Sequence, residues 1–198
     1  MRSTDILKNE HRVIEVVLAC LEKMTEQALA QGHLDDVSAR QAIDFFQAFA
    51  DRCHHAKEEN HLFPLMEARG FPRVGGPTGV MLHEHEEGRR LLCEMAGALI
   101  GAGAGDEKAL ADFAVHARAY VQLLRQHIFK EDNRLFPMAS QVCSARDDAD
   151  LVERFARAEA EDVKPADHEH YLEVAQHLAQ RFGIPRANAK PCGCGHAH

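Results

Sequence analysis

"HHAKEENHLFPLM" runs from His54 to Met66, and 73 residues after its first histidine "HIFKEDNRLFPMA" begins at His127. Helix packing asks only for apolar residues at the right period, so a polar phrase written twice, His-x-x-Lys-Glu-acid-Asn-x-Leu-Phe-Pro, needs a chemical reason. On a helix a histidine and the residue four later share a face. His54/Glu58 and His55/Glu59 are therefore the competing pairs of the first copy. Ile43, Phe46 and Ala50 precede His54 on one stripe, and Leu62 and Leu65 follow Glu58 on it, whereas His55 lines up with Asp44, Ala48 and Arg52. That puts His54 and Glu58 on the core face and His55 with Glu59 toward solvent. In the second copy Ile128 replaces His55, and the stripe Phe113, Tyr120, Leu124, Leu135 and Met138 carries His127 and Glu131 inward. Asp132 falls on a mostly polar face with Arg118 and Arg125 and stays as the minority alternative to Glu131.

The repetition extends upstream of both copies. "EHRVIEVVL" places His11 on the stripe Leu7, Ile14, Leu18, Leu21, and "EHEEGRRLL" places His85 with Leu82, Leu92, Met95 and Leu99. Between these points lie helix signals, with Gly/Pro loops at "GFPRVGGPTG" and "GAGAGD", and no Asn-Gly or Asp-Gly hairpin turn. The pattern predicts an all-α, antiparallel up-down four-helix bundle over residues 1–140. Its helices span about 3–32 (Ser3 or Thr4 as N-cap), 35–70 (kinked or interrupted by Pro64), 80–100 and 107–139. A C-terminal helical extension follows over 141–183, and 184–198 reads as a flexible tail whose Cys192, Cys194, His196 and His198 form at best a weak metal clip.

Composition narrows the function. The chain has 198 residues, 31 acidic against 23 basic, 14 histidines and six scattered cysteines. A net charge of −8 argues against nucleic acid as a partner. No apolar run reaches the roughly 20 residues of a membrane span, and the start has no signal-peptide layout. The cysteine pattern is no disulfide framework, so a reducing, cytoplasmic setting is expected. Oligomeric state is left open.

Four histidines (His11, His54, His85, His127) and two glutamates (Glu58, Glu131) thus point into one core. Buried carboxylates side by side repel and each costs several kcal/mol unpaired, penalties that a cation removes. Six donors exceed the four of a zinc site, and imidazole does not suit calcium or magnesium. Two ions bridged by both carboxylates use the donors evenly and leave an open position. Nitrogen and oxygen donors of this kind suit iron, with manganese, cobalt or zinc as substitutes. A ferritin-like set would need Glu-x-x-His twice; Glu58-x-x-His61 occurs, but its counterpart is Glu131-x-x-Arg134, which leaves His61 as a surface residue.

The set EH…HHxKEExxLFP…EH…HIxKExxxLFP resembles the hemerythrin family, in its bacterial branch of His-His-Glu cation-binding domains, over about residues 1–140. The resemblance implies a non-haem di-iron centre, oxo- or hydroxo-bridged, on the six residues named above. Oxygen-carrying members have a further histidine four residues from the third-helix ligand; Met81 and Arg89 stand there, which counts against simple oxygen transport. The expected function is binding of a small diatomic ligand, oxygen or nitric oxide, for sensing, storage or scavenging. The alternative is a di-iron enzyme (an oxidase, or a peroxide or nitric oxide reductase) or a factor that repairs iron-sulfur clusters.

Overall fold

The computed structural model describes residues 2–161 and 165–185, all helix or loop, with no strand among the described residues. Four helical runs form the bundle. The first is α1 (Ser3–Gln31). The second is α2 (Asp36–Phe45), continued by a π-helical stretch Phe46–His55, a π turn Glu58–Leu62 and α3 (Phe63–Ala68). The third is α4 (Pro77–Gly103). The fourth is α5 (Glu107–Lys130), then a π turn Glu131–Leu135 and α6 (Phe136–Val142). Two further helices, α7 (Ala145–Glu161) and α8 (Pro165–Phe182), make up the extension. The tail cluster Cys192/Cys194/His196/His198 lies outside the described residues.

Helix ends follow local chemistry. Asp35 and Asp106 accept hydrogen bonds from Ser38 and Ala109 backbone N–H groups at the starts of α2 and α5. Gly32, at φ +77°, closes α1 in the left-handed conformation that glycine adopts without cost. The start of α1 differs from expectation: Arg2 is the cap, its backbone N–H donating to Asp5, while Ser3 sits inside the helix and donates to Asp148 of α7.

Proline shapes the site rather than ending the helices. Pro64 and Pro137 have no N–H to give, and their rings would crowd the carbonyls of Asn60 and Asn133 one turn back. In both copies the chain widens just before the proline, with Phe63 N–H bonding to the Glu58 carbonyl and Phe136 N–H to that of Glu131, a reach of five residues. Each π turn therefore begins at a glutamate of the inward set.

Two apolar clusters sandwich that level of the bundle. The larger contains Ile14, Leu18, Phe45, Phe46, Phe113, Tyr120 and Leu124, with Leu178 and Phe182 of α8 packed onto it. The smaller joins Leu7, Leu62, Phe63, Met81, Leu135 and Phe136 to Leu151 and Phe155 of α7. The extension thus seals the bundle at both clusters.

Candidate metal centre

His11, His54, Glu58, His85, His127 and Glu131 meet between the clusters, none more than 1% exposed. They form two overlapping groups, His11/His54/Glu58/Glu131 and His85/His127/Glu58/Glu131, whose donor atoms lie within 4.8 Å of one another in each group. Glu58 turns one oxygen to His54 Nε2 (3.7 Å) and the other to His85 Nε2 (3.5 Å). Glu131 Oε2 lies 3.2 Å from both His11 Nε2 and His127 Nε2. On the His85 side the two Nε2 atoms are 3.1 Å apart.

Every outer ring nitrogen is anchored to a carboxylate. His11 Nδ1 meets Asp132 (2.9 Å), His54 Nδ1 meets Glu10 (2.8 Å), His85 Nδ1 meets Glu59 (2.7 Å) and His127 Nδ1 meets Glu84 (2.9 Å). A carboxylate only accepts, so each Nδ1 carries the hydrogen and each Nε2 faces the centre; this is how metal-ligating imidazoles are oriented. The four anchors obey the internal repeat. Glu10 and Glu84 reach across their own hairpins, while Glu59 and Asp132 reach between hairpins. Lys57 and Lys130 bind Glu10 and Glu84 from outside. Phe136 stacks on His11 and Phe63 on His85, at ring separations of 5.5 and 5.9 Å. The doubled phrase is accounted for position by position: histidine and glutamate face the centre, lysine braces a carboxylate, the second acid orients an imidazole, phenylalanine covers one, and proline makes the turn.

The electrostatics are those of a site built for cations. Burial, then the adjacent Glu131 carboxylate, push Glu58 well above the usual range. Against the same burial, His127 and His11 hold Glu131 well below it. Burial lowers His54 to about 4, although Glu10 works the other way. His127 is brought up to about 9 against burial, chiefly by Glu131 and Glu84. Both oxygens of Glu58 and of Glu131, with His11 Nε2 and His54 Nε2, are buried and lack hydrogen-bond partners. Unsatisfied groups of this kind are costly, and here they converge. Iron, manganese, cobalt or zinc fits this donor set on chemical grounds.

Three expectations need correction. His55 does not face solvent: it is 5% exposed and stacks on His85 at 3.8 Å. The cause is the π-helical stretch, whose wider turn brings two successive residues to the inner side. Glu59, half-buried, anchors His85 instead of pairing with His55 in solvent. His61 is half-buried near Phe155 of α7. The four anchoring acids were missed by the stripe reading, although each lies beside an inward residue in sequence: Glu10 by His11, Glu59 by Glu58, Glu84 by His85, Asp132 by Glu131.

Comparisons with known proteins agree with this geometry. Over 178 residues the chain is 24% identical to the uncharacterized proteins Rv1995 and MT2051 of two Mycobacterium tuberculosis strains, covering 90% of this chain and 69% of each of theirs. Over 88 residues it is 31% identical to the iron-sulfur cluster repair protein YtfE of Dickeya chrysanthemi, covering 43% of this chain and 40% of that one. No solved structure gives a significant match. The family model described as the hemerythrin HHE cation binding domain matches residues 2–139, and with this doubled His/Glu centre the chain belongs to the hemerythrin family.

Proposed function

We propose that this chain holds two iron ions between its four helices and binds a small diatomic ligand there, oxygen or nitric oxide, for sensing, storage or scavenging. The observation that carries this reading is the pair of donor groups sharing Glu58 and Glu131. His11 and His54 would hold one ion and His85 and His127 the other, with Glu58 and Glu131 common to both groups. Residues 1–140 would supply the ligands, and α7 and α8 of the extension pack onto the two apolar clusters.

Iron, when bound, would supply reversible redox chemistry and affinity for a small ligand; the chain supplies everything around it. Asp132, Glu10, Glu59 and Glu84 fix the tautomers, so each Nε2 offers a lone pair inward. Phe63 and Phe136 exclude water on one side and the Phe46/Tyr120 cluster excludes it on the other. Such a dry, preorganised pocket strengthens every polar contact to a small ligand. No described helix is long and apolar enough to cross a membrane. The unpaired Cys20, Cys53, Cys93 and Cys143 suit a reducing compartment, which supports a cytoplasmic location.

Similarity to YtfE favours a second reading, repair of iron-sulfur clusters with this centre as iron donor. One experiment addresses both: metal analysis, with optical spectra under nitrogen, then air, then nitric oxide. About two irons per chain and a spectrum that changes with the gas support ligand binding. Iron that leaves to a metal-free ferredoxin while the spectrum ignores both gases supports repair. One ion per chain in a folded bundle overturns both.

A further inference from the structure

His55 breaks the internal repeat, since its counterpart is Ile128, and it breaks it inside the site. One of its ring nitrogens lies within 4.8 Å of one nitrogen each of His85 and His127. It is anchored as the other imidazoles are: Nδ1 faces Asp51 at 3.3 Å. Arg89 ties Asp51 to Glu59, the anchor of His85, at 2.7 Å each. The His55 and His85 rings are therefore held by their Nδ1 ends on one guanidinium and stack with planes 13° apart. Two imidazoles on one ion must each contain their own metal–nitrogen axis, so rings stacked face to face cannot converge on it. With both Nδ1 ends on the Asp51/Arg89/Glu59 side and the rings stacked, the Nε2 ends of His55 and His85 point the same way, so His55 would stand beside an ion held by His85 and not on it.

We propose that His55 is a positioning residue for the exogenous ligand, its Nε2 lone pair accepting a hydrogen bond from an O–H-bearing molecule, such as hydrogen peroxide or water, seated beside His85. The inference rests on the di-iron reading above. The Nδ1 hydrogen faces the Asp51 carboxylate, which leaves Nε2 as the acceptor end of the ring. Nitric oxide brings no hydrogen to donate, so the residue separates ligands by whether they carry a proton. A buried acceptor of this kind contributes about five- to tenfold in affinity.

The test compares the iron-loaded wild type with His55→Ile, which copies the second repeat, and His55→Gln, whose amide oxygen can accept. Iron content, melting temperature, the rate of the optical change on mixing with hydrogen peroxide, and nitric oxide affinity of the reduced protein are measured. Expected for His55→Ile is unchanged iron content, a five- to tenfold slower response to peroxide and nitric oxide affinity within twofold of wild type, with His55→Gln recovering part of the loss. Loss of one iron in both variants would make His55 a ligand and overturn the proposal. An unchanged peroxide response, or equal losses for both probes, would overturn it as well. A wild type with two irons that responds to neither probe would instead sink the ligand-binding reading and leave iron content as the measure of His55 as ligand.

Discussion

Glu10 and Glu84 occupy equivalent places in the two halves, yet their removal should have unequal effects. Glu10 accepts from Lys57, which is 1% exposed and is covered from outside by Glu159 of α7. Glu84 accepts from Lys130, which is 38% exposed and, among the described residues, is bridged to no acid of the extension. Burial works to raise the Glu10 carboxyl, but Lys57 and His54 overcome it and bring the group from 4.5 to about 2. That depression corresponds to about 3 kcal/mol at neutral pH. Breaking a buried pair from one side costs a similar amount, roughly 3–5 kcal/mol, because the other charge is stranded. The half-exposed pair at Lys130 is worth about 1 kcal/mol or less. We therefore expect Glu10→Gln to lower unfolding stability by about 3 kcal/mol and Glu84→Gln by under about 1 kcal/mol, read from urea melts of the chelated proteins at pH 7. Both should weaken metal about 10- to 100-fold in competition with a chelator, since each orients one imidazole. The sign with pH follows: the Glu10 contribution is complete above about pH 4.5 and disappears as pH falls toward 2. Equal stability losses for the two variants at neutral pH would show that burial by the extension does not set the energetics of this pair.

Glu58→Ala and Glu131→Ala should each abolish tight metal binding, whereas Asp132→Ala should keep two ions at saturating iron with about 10- to 100-fold weaker affinity; the reverse outcome at 131 and 132 in elemental analysis would refute the assignment of the fourth helix. Chelation should lower the melting temperature by about 8–16 °C with helix content retained, given about 4 kcal/mol from metal a thousandfold above its Kd, and coincident circular dichroism melts after confirmed metal loss would contradict it. In the chelated protein His54, held down to about 4, contributes stability above its unfolded value near 6.5 that is lost as pH falls toward 4. His127, brought up to about 9, contributes below 6.5 and loses its contribution as pH rises through 9. Melting temperature should fall on both sides of neutrality, and a steady rise from pH 5 to 10 would rule this account out.

The bundle was legible because its apolar stripes keep one period over long stretches, and the six inward donors were legible because each stripe carries them in register. His55 was not, because tracing a stripe assumes a constant turn and the π-helical stretch does not keep it. Pro64 reads as a break for a related reason: Pro64 and Pro137 each follow a separate π turn, Glu58–Leu62 and Glu131–Leu135, inside a continuing helix. The anchoring acids escaped for a different reason. Their roles depend on which helix lies next to which, and a helical period carries no information about neighbours. Asp132 illustrates this: its own face is polar, and only the approach of α1 brings His11 to it.

Neither donor group can be completed within one hairpin. His11, His54 and Glu58 come from the first hairpin, but their group needs Glu131, and His85 and His127 need Glu58 from the other side. A ribosome that has released the first two helices has therefore made a chain with three of the four donors of one group and no way to close it. On the di-iron reading proposed above, loading would have to wait for the last bundle helix to emerge and dock, which would make metal capture a late checkpoint on synthesis. A chain truncated before Glu131 should remain iron-poor however much iron surrounds it.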